Sequence, residues 1–246
     1  MAADVTRIHV LNVPLDVVED EDLPKVIKRI CHPEQHKQII LLDFQDFMIA
    51  RRSKERRAIL EDAALVIPIS SRITRAAKFV KKEVPPLRRS YPFVIRLLSI
   101  MENLGETTYL LGSTMKGVRQ AESMIRTSFP GLGIVGRYAA RFPEEREQDV
   151  VTAIKKAAPT LLLAGKGLKG QYLWISRRRS RFAPGLSLWE RHCFGVFSGK
   201  HAKPNESAGA RFSRTFFGFF IRPWRLLRIF RNMFFHLLVL VERLKG

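Results

Sequence analysis

From residue 37 onward, short apolar blocks and amphipathic stretches take turns along the chain. "KQIILLDF" (37–44) is a β-rich run, and "AALVIPIS" (63–70) is another, closed by Pro68 and two serines. Between them, "FMIARRSKERRAILEDA" (47–63) sets its apolar residues at helical spacing with solvated charges around them. "FVIRLLSIMENLG" (93–105) predicts an amphipathic helix stopped by Gly105, a residue that helix C-termini favour. "TTYLLGS", "LGIVGRY" and "TLLLAGKG" then read as strands, separated by the helices "KGVRQAESMIRTSFPG" and "PEEREQDVVTAIKKAAP". The second of these helices begins acidic and ends basic, which suits its dipole at both ends. Strands alternating with helices of this length imply right-handed crossovers and an α/β fold, a doubly wound and largely parallel sheet. Ligands in such sheets bind beyond the carboxyl ends of the strands, a rule that puts Gly112, Gly136 and the 165–171 turn on one rim.

The pattern changes near the C-terminus. "SGKHAKPNESAGA" (198–210) is polar and rich in Gly, Pro and Ser, as a linker is. It is followed by "RFSRTFFGFFIRPWRLLRIFRNMFFHLLVLVERLKG", with Pro223 suited to a first helical position. On a helical wheel Arg225, Arg228, Arg231, Asn232, His236 and Arg243 share one half. Leu226, Leu227, Phe230, Met233, Phe234, Leu237, Leu238 and Val241 share the other, with Trp224 and Phe235 at the border. A basic face against a broad apolar face predicts an amphipathic helical appendage lying in a membrane interface. The alternative is a C-terminal helix docked on the core with solvated arginines. The expected membrane contacts are Phe216, Phe217, Phe219, Phe220, Trp224, Phe230 and Phe234. Three parts follow: an N-terminal segment (1–36) without assigned role, an α/β domain (37–208), and the basic, aromatic appendage (209–246).

Charge sharpens this division. Of 43 Lys and Arg, 19 lie in residues 151–246, against 3 of the 23 Asp and Glu, so most of the +20 net charge sits in that part. Nucleic acid, a sugar-nucleotide diphosphate and an anionic membrane surface all fit such a surface. Nucleic acid is disfavoured, because the aromatics gather in an apolar terminal block rather than among exposed arginines. Two cysteines, Cys31 and Cys193, fit a reducing compartment and exclude a disulfide framework. The start, "MAADVTRIHVLNVPLDVVEDED", turns acidic after a strand-like run and lacks the basic and apolar regions of a signal peptide. The longest apolar run, "MFFHLLVLV" (233–241), falls short of the ~20 residues that cross a bilayer.

One short stretch carries candidate chemistry. "AGKGLKGQYLWI" (164–175) joins a strand-like run to the basic cluster "SRRRSR" (176–181), as a phosphate-holding turn would. It has neither the Walker spacing nor the third glycine of a dinucleotide fingerprint, so a soluble mobile turn fits it as well. "LRRSY" (87–91) and "SRRRSR" offer forked guanidinium groups for a diphosphate, or a solvated face. The histidines are scattered; only His32 and His36 stand four apart, with Pro33 between them, so no metal site and no cofactor is expected. His192 beside Cys193 is no catalytic pair by adjacency alone, and no nucleophile-elbow sequence supports a serine hydrolase.

In order, these segments resemble the WecG/TagA/CpsF family of bacterial glycosyltransferases, from about residue 37 to about residue 231. Residues 102–167 are similar to the family's "LLGG", "YPGL.IVG..GYF" and "I....PD.L.VGLG". "KGQYLWI" stands where the family has "PKQE.WI", with Gln171, Trp174 and Ile175 in register. "SGKHAKP" (198–204) is similar to "SGK..RAP", and "RPWRLLR" (222–228) to "EP.RL..R". The resemblance implies transfer of an N-acetylhexosamine-type sugar from a UDP-sugar donor to a polyprenyl-diphosphate-linked acceptor, in cell-envelope polysaccharide synthesis. It also implies a cytoplasmic protein peripheral to the inner face of the membrane. Gly167, Gln171 and the 165–170 amides would face the nucleotide sugar, and Arg225 and Arg228, with Arg88 or Arg89, the diphosphate.

The family pattern is broken where its chemistry lies. Its "T.N" strand end falls on Leu41 and Asp43, and the aspartate of "PDG", the family's expected base, falls on Ile69. The glutamate of "PKQE" becomes Tyr172, and the arginine of "EWLYRL" falls near Gly218. Isoleucine accepts no proton from an attacking hydroxyl. Asp43 is the one nearby acid that offers a substitute. Two readings stay open: a transferase with a rewired base, and a non-catalytic partner holding nucleotide sugar or lipid-linked intermediate.

Overall fold

The structure, a computed structural model, describes residues 5–80, 82–199 and 235–244. Its centre is a six-stranded sheet: β3 (Lys37–Leu42), β4 (Leu65–Pro68), β5 (Thr107–Leu111), β6 (Gly133–Tyr138), β7 (Leu161–Gly165) and β8 (Leu186–Glu190). The strands lie in the order β4-β3-β8-β7-β5-β6, and every pairing is parallel. Alternate residues feed opposite faces, as the two-residue period of a strand requires. Ile39, Leu65, Ile67, Leu110, Leu161, Leu163, Leu186 and Leu188 face one core, with residues of α1 (Leu23–Ile30), α5 (Ser90–Asn103), α6 (Met115–Ser128) and α9 (Cys193–Phe197). Ile40, Leu42 and Val66 face a second, with α2 (Phe44–Ala50) and α4 (Ser71–Phe79). Tyr109, Leu111, Leu162 and Ala164 face a third, with α7 (Glu147–Ala157) and α8 (Tyr172–Ser176). Covered on both sides, the strands other than edge strand β6 are nearly continuous apolar runs.

The stretch 47–63, which the periodicity predicts as one helix, is divided between α2 and a further helix. The chain turns after α2, and Ser53 caps α3 (Lys54–Asp62) by accepting from the Arg56 amide at 3.2 Å. Gly136 is another correction: it lies within β6, not on the rim, and a Cβ there would come within 2.4 Å of the Tyr109 ring. Its missing side chain makes room for an aromatic neighbour.

Residues 5–30 contribute an antiparallel hairpin, β1 (Thr6–Val10) and β2 (Val13–Val17), and α1. The two turn residues, Leu11 and Asn12, both have positive φ, the backbone that a two-residue hairpin loop requires. Asp16, fully buried, accepts two bonds from Arg7 at 2.8 and 2.9 Å and a third from the Val66 amide at 2.6 Å. The third bond satisfies an N–H of edge strand β4 that no neighbouring strand takes.

Residues 235–244 are helical and dock on this hairpin side. Phe235 is buried edge-on against Phe44 and Phe47, at centroid distances of 4.9 and 6.2 Å, beside buried Val239. The Glu242 carboxylate accepts from the Leu11 amide at 2.9–3.0 Å. Phe235 therefore anchors to the core rather than bordering a membrane face, while Leu237, Leu240, Val241 and Leu244 stay exposed along one stripe.

Candidate functional site

The crevice of this sheet follows from its connections. β5 leads to β6 at one edge, whereas the neighbouring β7 leads to β8 on its other side. Chains leaving adjacent strands in opposite directions open a gap above them, where ligands of doubly wound folds bind. The loops bounding that gap are Gly112–Thr114 and Gly165–Gln171, joined by a bond from the Ser113 amide to the Lys166 carbonyl at 2.8 Å.

The glycines in these loops serve two purposes. Gly112 and Gly165 both face the Phe194 ring, and a Cβ on either would come within 2.3–2.4 Å of it. Phe194, 1% exposed, is the wedge that packs between the two strand ends. Gly167 and Gly170 instead have φ of +112° and +81°, backbone open to glycine and strained for other residues. Gln171 follows at φ 56° and ψ −131° without being a glycine, a conformation that costs on the order of 1–3 kcal/mol. The loop thus folds back tightly and holds Gln171 in a strained position at the start of α8.

Beside it lies a cleft of about 850 Å³, walled by the 167–170 loop, Arg141, Phe142, Trp174, Arg177 and Arg178. Phe142 meets Trp174 edge-on at 6.1 Å, and the Arg178 guanidinium stacks on Trp174 at 4.7 Å. Glu147 fixes this wall, accepting from Trp174 Nε1 at 3.0 Å and from Arg178 at 2.6–2.8 Å. Burial works to raise the Glu147 carboxyl, but the Arg178 and Trp174 hydrogen bonds outweigh it and hold it below the ordinary value. Arg178 is therefore committed to Glu147. Arg141 and Lys169 bring positive charge to the cleft, Lys169 only loosely paired with Glu144 at 3.6 Å between exposed side chains. Gly167 lies on this wall, where a Cβ would meet Arg141 Cγ at 3.1 Å.

A different chemistry occupies the carboxyl ends of β3 and β4. Ile69 continues the β4 path, its amide bonded to the Leu42 carbonyl at 3.0 Å, and Ser70 caps α4. Asp43 is exposed on the rim, but its Oδ1 caps α2 by accepting from the Asp46 amide at 2.8 Å. Asp46 is the acid with the altered proton affinity: burial and the charge of Asp43 raise it against the pull of Arg56 and Arg191. Arg56 Nη1 donates to Asp46 at 3.0 Å and to Tyr172 Oη at 2.9 Å. Tyr172, buried and beside Asp46, is pushed up to about 12 and keeps its proton. Tyr172 is thus held by Arg56 through its hydroxyl. Sequence reading missed Asp46 and Arg56 because Tyr172 is 116 residues from Arg56; the one local signal was a second acid three residues after Asp43.

Arg88 and Arg89 line a second cleft, of about 500 Å³, with Asp20, Leu87, Pro92 and Arg96. Arg88, 8% exposed, donates to Asp20 at 2.6 and 3.0 Å and to the Val18 carbonyl at 2.5 Å, and so ties the start of α5 to the chain entering α1. The structure brings Gly167 and Gln171 together on one loop and puts Arg88 and Arg89 in another cleft. Arg225, Arg228, Phe216, Phe217, Phe219, Phe220, Trp224, Phe230 and Phe234 lie outside the described residues. Among the described residues no cluster of three metal-binding side chains stands on this rim.

A family model described as the glycosyl transferase WecG/TagA/CpsF family matches residues 8–246, extending the sequence resemblance at both ends. No curated protein matches the chain significantly.

Proposed function

We propose a function from the premise that this chain belongs to the WecG/TagA/CpsF glycosyltransferase family, to which residues 8–246 match. The family places it with glycosyltransferases of cell-envelope polysaccharide synthesis, which use a nucleotide-sugar donor and a lipid-linked acceptor. On our reading the donor is a UDP-linked N-acetylhexosamine, held at the 165–171 loop, and the acceptor is a polyprenyl-diphosphate-linked sugar. Donor binding is kept while transfer is greatly slowed.

One observation carries this reading: the exit of β4 presents Ile69, and the acid at the exit of β3, Asp43, caps a helix. The attacking hydroxyl then meets no carboxylate at position 69, and loss of a general base is worth about 10²–10⁴-fold in rate. Loss of this size also favours the second reading, in which the protein holds nucleotide sugar or lipid intermediate as a partner in envelope assembly. In support of donor binding, the strained loop and the cleft beside it offer glycine backbone, Arg141 and Lys169 to a diphosphate, and the half-buried Phe142 to a planar base.

The terminal helix supports peripheral attachment to an anionic membrane. It presents Leu237, Leu240, Val241 and Leu244 outward, with Arg243 on the same helix and Arg72 and Arg75 on the neighbouring α4. No helix among the described residues is long and apolar enough to cross a membrane. The reading is tested by titrating UDP-sugars into the full chain and assaying transfer by the wild type and Ile69→Asp. Saturable binding with slow transfer, accelerated by the aspartate, is expected. Absence of binding to every UDP-sugar overturns it. Liposome sedimentation tests attachment: equal binding by the full chain and by one ending at Ala210 contradicts it.

A further inference from the structure

At the opposite end of the sheet, near the amino ends of β3 and β5, three side chains able to bind metal converge. Cys31 and His32 follow α1, and Glu106 precedes β5. Their ligand atoms all lie within 4.8 Å of one another. Glu106 Oε1 is 2.7 Å from His32 Nε2, and Glu106 Oε2 accepts from Thr160 Oγ1 at 2.7 Å. The Cys31 thiol sits behind them, 2% exposed, 3.1 Å from the Lys28 carbonyl. The His32 side chain is 69% exposed and opens the group to solvent on one side.

We propose that Cys31, His32 and Glu106 bind a borderline divalent transition metal, zinc foremost, with water in the fourth position. The donors are one sulfur, one nitrogen and one oxygen, a set suited to zinc and unsuited to calcium or magnesium, which take oxygen. Zinc bonds of about 2.0–2.3 Å at tetrahedral angles put ligand atoms about 3.3–3.7 Å apart. The His32–Glu106 contact therefore lengthens by no more than about 1 Å, a movement the exposed histidine permits. Thr160 orients the carboxylate from behind, as outer partners of metal ligands do. On uptake the thiol proton leaves to solvent, its contact with Lys28 breaks and a sulfur–metal bond forms, with no change of oxidation state. The bound ion would clip the end of α1 to the turn between α5 and β5. Histidine spacing alone could not reveal the site, because its third ligand is 74 residues from His32.

The structure supplies its own control. His9 and Glu61 make a similar pair at 2.9 Å, but no cysteine joins them. The test is calorimetric titration of the chelator-stripped full chain with zinc chloride, followed by absorption spectra with cobalt(II). We expect one equivalent of zinc and a thiolate-to-cobalt charge-transfer band. His32→Ala, a change at an exposed side chain, should weaken zinc by about 100-fold or more, beyond what loss of an outer partner costs. Cys31→Ser should remove the cobalt band, and His9→Ala should change neither. No zinc uptake, uptake that His32→Ala retains, or a cobalt complex without the thiolate band overturns the proposal.

Discussion

The loops that follow β7 and β4 leave the same rim of one sheet, but they differ in what they present. After β7 the chain keeps glycine backbone at Gly167 and Gly170, a strained Gln171, and a cleft edged by positive charge. After β4 it runs through Ile69 to a serine that caps the next helix. Doubly wound sheets put ligand-holding and proton-transferring groups on separate loops, so one can change while the scaffold and the other persist. The contrast between Tyr172 and Ile69 repeats the lesson at single residues. Tyr172 engages Arg56 through its hydroxyl, whereas the isoleucine side chain offers no atom that accepts a hydrogen bond or a proton.

The strongest way to break this comparison is Ile69→Asp. We expect sugar transfer, followed with labelled donor, to rise by about 10²-fold or more, with donor affinity changed less than twofold. An unchanged rate would mean that the β4 loop is not what limits transfer. Next in size is Gly165→Ala. Its methyl would press on Phe194 and, at 3.3 Å, on the Glu190 carbonyl, so urea unfolding should show a loss of about 2–3 kcal/mol. Adding Phe194→Leu should recover part of it. Gly167→Ala is milder for the fold, about 1 kcal/mol for a residue at φ +112°, and should weaken donor binding about tenfold by moving Arg141.

The smallest effect is a pH dependence in the cleft wall. Because Glu147 is held below its ordinary value of 4.5, its contribution is present above that pH and is lost as pH falls through the folded-state value. Thermal melts should therefore drop more steeply on acidification for the wild type than for Glu147→Gln. Equal slopes would show that Arg178 and Trp174 do not hold the wall through this carboxylate.

Strands β3, β4, β5 and β7 were legible in chain order because apolar blocks buried on both faces stand out between amphipathic helices, and the exposed edge strand β6 was legible from its place between two such helices. The hairpin was not, since Leu11 and Asn12 lack the Asn-Gly signal and what binds β2 to the sheet is Asp16, whose partners Arg7 and Val66 are distant in sequence. Strand β8 was hidden between the basic "SRRRSR" and "RHCF" segments. The α2–α3 break was masked because it falls in the charged run 51–57, which reads as the solvated surface of one continuous helix. The strand-end rule put the 165–171 turn at the carboxyl end of β7, where it lies, but also assigned Gly136 to the rim, because a glycine that admits a tyrosine ring and one that turns a loop look alike in sequence. Asp46 escaped because its raised proton affinity comes first from burial and then from Asp43, and burial is not written in the local sequence.

Calorimetric titration of the wild-type full chain with UDP-N-acetylhexosamines tests the central claim most directly. The account predicts saturable binding of one donor per chain, with the same affinity in Ile69→Asp. No heat with any UDP-sugar, in a sample that melts cooperatively, would contradict it.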